Sequence, residues 1–150
     1  MIKTRSGFTL MELVLVLGII AIVSAGVFVS TQGNANRALE NASLALQADI
    51  RYVQRRSIAE GQRYRITFEL ENNRYTISLV GSNEIIRTVY LRDGVSLYSI
   101  SGNLPPQFDF LPRGTPSRGV TVTLSNGVFL QDITVVPSGG RADIRNWRRI

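Results

Sequence analysis

Gly7-Phe8-Thr9-Leu10-Met11-Glu12-Leu13-Val14-Leu15-Val16-Leu17 opens an apolar run that continues to about Val29. Residues 8–29 supply about 22 positions, roughly 33 Å of helix, enough to cross the hydrocarbon core of a bilayer. Glu12 stands inside that run and is the only charged side chain between Arg5 and Arg37. A carboxylate at mid-membrane costs roughly 2.5–3.5 kcal/mol on insertion scales, so the position asks for a partner. Lys3 and Arg5 precede the span, and a basic flank puts the leader in the cytoplasm and the rest of the chain outside. A secretory signal peptide would have a shorter apolar centre followed by a small-residue cleavage site. Here the breakpoint, Gly7, comes before the apolar run, which passes directly into a second helical pattern.

In that second pattern Leu39, Ala42, Leu46, Ile50 and Val53 recur every three or four residues, an amphipathic stripe. Arg37, Glu40, Asp49, Arg51 and Arg55 are expected on the other faces. The two patterns together predict a helix from about Thr9 to Ala59, ending at Gly61. From Gln62 the period drops to two. Tyr64, Ile66, Phe68 and Leu70 alternate with Arg63, Arg65, Thr67 and Glu69, and after Asn72-Asn73 the alternation resumes at Tyr75, Ile77 and Leu79. Ile85–Leu91 and Val95–Ile100 follow as further strands of an antiparallel meander. Phe108-Asp109-Phe110 reads as a short strand, and Val120–Leu124 and Val128–Val136 flank Ser125-Asn126-Gly127, a hairpin signal. Pro137-Ser138-Gly139-Gly140 is expected to end the sheet. One long helix followed only by strands is an α+β layout.

Several kinds of chemistry are excluded by composition. The chain has no Cys and no His, which removes disulfides, thiol nucleophiles, the commonest general base and the commonest metal ligand. No glycine-rich phosphate loop precedes a helix. Neither a catalytic group, a metal site nor a cofactor is expected, and the protein reads as a non-enzyme. The formal charge is +6, with Lys3 the only lysine.

The segment Gly7–Glu12 followed by Leu13–Ala25 resembles the processing site of type IV prepilins and type II secretion pseudopilins. The resemblance implies that residues 1–7 are a leader cut off after Gly7 by a membrane prepilin peptidase. The same enzyme would then N-methylate Phe8. It implies that Glu12 pairs with the N-terminal amine, here of Phe8, on a neighbouring subunit during filament assembly. A plain signal anchor, left uncut, is the alternative. Phe110-Leu111-Pro112-Arg113-Gly114, then Val120–Gly127, then Ile133–Arg141 together resemble the GspH/FimT-type domain. That implies a type IV pilin-like fold, the helix packed on two antiparallel sheets. The expected layout is a transmembrane or filament-core helix over 8–29, its amphipathic continuation over 30–60, a β domain over 61–140 and a basic tail over 141–150.

In the tail, Arg141, Arg145, Arg148 and Arg149 surround Trp147, opposed by Asp143. Arginine forks grip phosphates and an indole can stack on a base. Some FimT-like minor pilins bind DNA through a Gly-Arg-x-Arg tail; Gly140-Arg141-Ala142-Asp143 matches its first two positions and has an acid at the second arginine. Two readings follow. The first is a minor pilin or pseudopilin, tip-associated, in a type II secretion pseudopilus or type IV pilus and serving assembly and protein secretion. It would cross the bacterial inner membrane once with its C-terminal domain periplasmic. Its partners would be other pilins, the peptidase, membrane lipid and secreted cargo. The second is a DNA-binding minor pilin for DNA uptake. The bland reading of the tail is a solvated segment with Trp147 and Ile150 tucked against the sheet.

Overall fold

The structure is a computed structural model that describes residues 9–82, 84–102, 105–145 and 147–150, without the side chains of 25–32. Helix α1 runs Leu10–Glu60, close to the expected bounds. Thr9 caps it: the Glu12 amide donates to Thr9 O at 3.1 Å and Thr9 Oγ1 at 3.3 Å, satisfying one of the free N–H groups of the first turn. Gly61, at φ +64°, ends it in the left-handed conformation that favours glycine.

The chain forms two compact units, Met1–Asn34 and Ala35–Ile150. In the first, the helix exposes its apolar side chains all round, from Leu10 at 82% to Val16 at 44%. Among the described residues no helix is long and apolar enough to cross a membrane. The expected span over 8–29 includes Phe8 and the side chains of 25–29, which lie outside the described residues.

Among the described residues the second unit holds nine strands: β1 (Tyr64–Glu69), β2 (Arg74–Leu79), β3 (Ile85–Tyr90), β4 (Ser96–Ile100), β5 (Gln107–Phe110), β6 (Val120–Ser125), β7 (Phe129–Val135), β8 (Ala142–Ile144) and β9 (Arg148–Arg149). One sheet has the order β3-β2-β1-β5; the other has β4-β6-β7-β8, with β9 also paired to β7. All pairs are antiparallel. The stripe residues Leu39, Leu46, Ile50 and Val53 are fully buried and share one core with Tyr64, Ile66, Phe68, Phe108, Phe110, Val122, Leu124 and Ile133. The alternation in β1 is realised, with Tyr64, Ile66 and Phe68 inward and their neighbours half-exposed. Leu70 lies beyond the strand and is 40% exposed.

Three expectations are corrected. Val95–Ile100 does not extend the meander; as β4 it crosses to the second sheet, with Ser96 opposite Ser125. Asn73 holds that crossover. Its Nδ2 donates to Leu91 O at 3.2 Å and Val95 O at 2.9 Å, and its Oδ1 accepts from the Leu97 amide at 2.8 Å. Nor does Gly140 end the sheet: β8 and β9 continue it, with Ile133 opposite Ile144 and Phe129 opposite Arg149. Their three and two residues are too short to carry an alternation. Finally, Asp49 is not on a solvated face. It is 6% exposed, accepting from Tyr75 Oη at 2.7 Å and from Arg87 Nη1 at 2.5 Å, which ties the helix to β2 and β3.

Truncation separates the two partners of Asp49. Asp49→Ala leaves the buried Tyr75 hydroxyl unpaired and is expected to destabilise the Ala35–Ile150 unit by about 2 kcal/mol. Arg87→Ala leaves the nearly buried Asp49 carboxylate to the Tyr75 hydroxyl alone and is expected to cost at least as much, up to about 3 kcal/mol. Urea midpoints of the two variants check the order.

Burial raises the Tyr75 phenol well above its ordinary value, and the bond to Asp49 raises it further. An unfolded tyrosine ionises near pH 10, so above about pH 10 the unfolded chain releases a proton that the fold retains, and stability falls as pH rises. Tyr75→Phe is expected to flatten that decline by about 1.4 kcal/mol per pH unit, read from urea unfolding at stepped alkaline pH.

Candidate functional site

The first candidate site is the start of α1. Gly7 and Phe8 lie outside the described residues. Glu12 occupies the first turn of the helix, where the backbone dipole favours a carboxylate. It is exposed. Its neighbours Leu10, Met11 and Leu13 are exposed apolar side chains, and the salt bridges among the described residues do not include Glu12. The arrangement is a carboxylate displayed at the end of a helix that has apolar surface on every side. It suits docking against other helices with a cation opposite the carboxylate.

The second candidate is the arginine set beyond Gly140. Gly140 itself is locally determined. It has φ +65°, and a Cβ there would come within 2.8 Å of Gly114 O and 2.9 Å of the Phe110 ring. Gln54, from the helix, donates to Gly114 O at 2.9 Å and Gly139 O at 2.8 Å, closing the same junction. Gln47 does likewise one strand on, donating to Ala142 O at 2.7 Å.

From this junction the chain runs antiparallel to β7, and the arginines are laid out along it rather than gathered. Arg141 pairs with Asp143 at 2.6 Å. Arg148 pairs with Asp132 at 3.2 Å, which also accepts from Thr123 Oγ1 at 2.7 Å. Arg145 donates its backbone amide to Asp132 O at 2.9 Å; its side chain and that of Arg149 are exposed. Ala142 pairs with Val135 and Arg149 with Phe129, so the set spans all seven residues of β7, about 20 Å. Trp147 packs on Phe129, ring centroids 5.7 Å apart, and is 37% exposed; Ile150 is 61% exposed. The expected tuck against the sheet therefore holds for Trp147 in part and not for Ile150.

Other surfaces offer less. An open depression of about 530 Å³ is lined by Arg65, Ser78, Gly81 and Ile85, but Arg65 is held by both oxygens of Asp109 at 2.7 and 3.0 Å. On the helix, Arg56 pairs with Glu60 at 2.6 Å and lies over the Tyr64 ring. Among the described residues no group of three or more acidic, His or Cys side chains could hold a metal. Sequence reasoning missed that the amide side chains Gln47, Gln54 and Asn126 fasten helix to sheets, because an isolated Gln carries no pattern and Asn126-Gly127 signals the hairpin turn, not its bond to the helix.

Residues 2–28 match the prokaryotic N-terminal methylation motif, and residues 42–140 match the family described as type II transport protein GspH. Competence protein ComGD of Bacillus subtilis (strain 168) is 28% identical over 144 residues, covering 95% of each chain. The minor pseudopilin EpsH from the Type 2 Secretion System of Vibrio cholerae is similar in structure, with a TM-score of 0.55 at 13% identity over 75% of this chain and 95% of that one. The type IV minor pilin FimU of Pseudomonas aeruginosa (strain PAO1) has a TM-score of 0.63 at 13% identity, over 74% of this chain and 90% of that one. At such identities the solved structures speak for the fold: a helix packed against antiparallel sheets, the α+β pilin architecture. With a methylation motif in front and a GspH match over most of the globular unit, the chain belongs to the GspH family of minor pilins and pseudopilins.

Proposed function

We propose that this protein is a minor, tip-associated subunit of a type II secretion pseudopilus or a type IV pilus, anchored in the bacterial inner membrane with its sheets on the periplasmic side. The observation that carries the reading is Glu12 in the first turn of a helix whose large apolar side chains stand exposed all round, inside a matched methylation motif. Cleavage after Gly7 frees the Phe8 amine, which is methylated. Glu12 then meets the amine of an adjacent subunit while the apolar faces bundle. In that setting the charges attract far more strongly than in water, so the pair selects axial register as the apolar faces supply the bulk of the affinity.

Removing one partner of such a buried pair costs about 3–5 kcal/mol, a loss of roughly a hundredfold or more in incorporation. Glu12→Ala is expected to be made and cleaved normally yet be absent from sheared filaments. Its normal incorporation would refute the role. Intact mass is expected to give a chain beginning at methylated Phe8 when the peptidase is present and an uncut chain when it is not. An uncut chain in both cases returns the signal-anchor reading.

The likeness to competence protein ComGD favours a second reading, in which the filament serves DNA uptake. If the exposed arginines of the C-terminal segment then grip phosphates, oligonucleotide binding by the chain should weaken steeply as salt rises. Absence of binding even at low salt excludes that use.

A further inference from the structure

The β6–β7 hairpin brings one end of the globular unit to the residue where the chain enters it. Asn126 Nδ2 donates to Ala35 O at 3.2 Å and to Asn36 Oδ1 at 3.0 Å, pinning the hairpin tip to the first turn of the unit. Its Oδ1 accepts from the Val128 and Phe129 amides at 3.1 and 2.8 Å, which sets the shape of the tip. The C-terminal strand lands on the same tip. Arg149 is opposite Phe129 and Arg148 opposite Leu130, and the Ile150 amide donates to Val128 O at 3.1 Å. Val128, Trp147 and Ile150 are left 42%, 37% and 61% exposed there. They stand beside exposed Arg148 and Arg149, with exposed Arg37 one residue past the pinned turn. The acids nearby are Asp132, already paired to Arg148, and Glu40, a turn further along the helix.

Six peptide links separate Val29 from Ala35, a reach of at most about 20 Å. With residues 8–29 in a bilayer, this end of the unit is held within that reach of the membrane surface, whatever path the intervening residues take. Indole rings concentrate at the headgroup level, and basic side chains are drawn to anionic lipid. Arginine adds a fork that takes phosphate oxygens in pairs. We propose that Arg37, Val128, Trp147, Arg148, Arg149 and Ile150 form a docking surface for the anionic headgroups of the bilayer that holds the chain's own N-terminal segment. The surface seats the globular unit on the membrane before the subunit enters a filament. The proposal rests on the membrane-anchored reading above. A nucleic acid would use the arginines but leave Val128 and Ile150 in water; a headgroup layer takes both kinds of side chain at once.

Trp147 is the chain's one tryptophan, so its fluorescence reports on this surface alone. The full chain is reconstituted into vesicles carrying a nitroxide on the lipid headgroup, made either of phosphatidylcholine or of a phosphatidylglycerol–phosphatidylcholine mixture. Each basic residue near an anionic surface adds about fivefold to its occupancy, so quenching of Trp147 is expected to be at least twofold stronger in the anionic vesicles. It is expected to return to the neutral level in Val128→Asp/Arg149→Glu. Independently of any variant, raising salt from about 50 to about 500 mM should at least halve the quenching of the parent chain. Vesicle flotation separates the two layers of the argument. A chain that does not float overturns the anchored reading. A chain that floats with Trp147 unquenched, or equally quenched in both lipids, overturns the docking surface alone. Emission that ignores lipid but shifts on adding a single-stranded oligonucleotide gives the surface to nucleic acid and overturns the proposal as well.

Discussion

Leu10, Met11, Leu13, Val14, Leu15, Val16, Leu17, Ile19, Ile20, Ile22 and Val23 all face outward, and no stripe among them is favoured. Burying a side chain of this kind is worth about 1.5–3 kcal/mol. The set therefore forgoes on the order of 20 kcal/mol in water, more than the 5–15 kcal/mol that holds a typical domain together. A helix apolar on every side must find its cover outside its own chain, in lipid or among other helices. The sheet domain owes its form to the opposite condition. Past Ala35 the stripe Leu39, Leu46, Ile50 and Val53 lies on one side of the helix, where the chain buries it against itself, while Leu44, Tyr52 and Ile58 stay exposed.

That second half is fastened as well as buried. Apolar contact is tolerant of small slides, whereas a hydrogen bond of fixed length is not. Asp49 reaches β2 and β3 in the first sheet, Gln47 reaches β8 in the second, and Asn126 returns from the β6–β7 hairpin to the helix at Ala35 and Asn36. The helix is thereby registered against both sheets at three heights. Asn73 plays the corresponding part between the sheets, holding the segment that leaves the first and enters the second. These bonds make burial of the Leu39–Val53 stripe produce one arrangement rather than several sliding ones.

Much of this is legible from period alone. The stripe at three- and four-residue spacing and the two-residue alternation of β1 and β2 each report burial on one side, and burial is what both elements exist to achieve. What escapes is whatever depends on distant partners. Asp49 looks like a solvated charge by residue type, yet it lies three residues from Leu46 and four from Val53, on the buried stripe itself; spacing, given more weight than polarity, would have found it. The crossover of β4 could not be found that way, since its sequence alternates equally well for either sheet. The strands β8 and β9 are legible only through β7, whose edge they cover. At the functional end Glu12 stands out because a lone carboxylate is improbable in that setting. The hairpin clamp at Ala35 rests on a single Asn ninety residues away from its acceptors.

The charge of the chain acquires a location once the pairs are known. In the unit from Ala35, Asp49, Glu60, Glu69, Asp109, Asp132 and Asp143 are each held by an arginine. The second sheet's strands contain only two of these acids, Asp132 and Asp143, and both are occupied, so nothing within that sheet offsets Arg145 or Arg149. A positive excess read from composition could have been spread thinly over the surface. Here a share of it is set beside the exposed apolar tip of the hairpin, at the end of the unit that the covalent chain ties to its apolar segment. Charge and exposed aliphatic side chains in one place suit a headgroup layer, which takes both, whereas a nucleic acid would engage the arginines and the indole and leave Val128 and Ile150 in water.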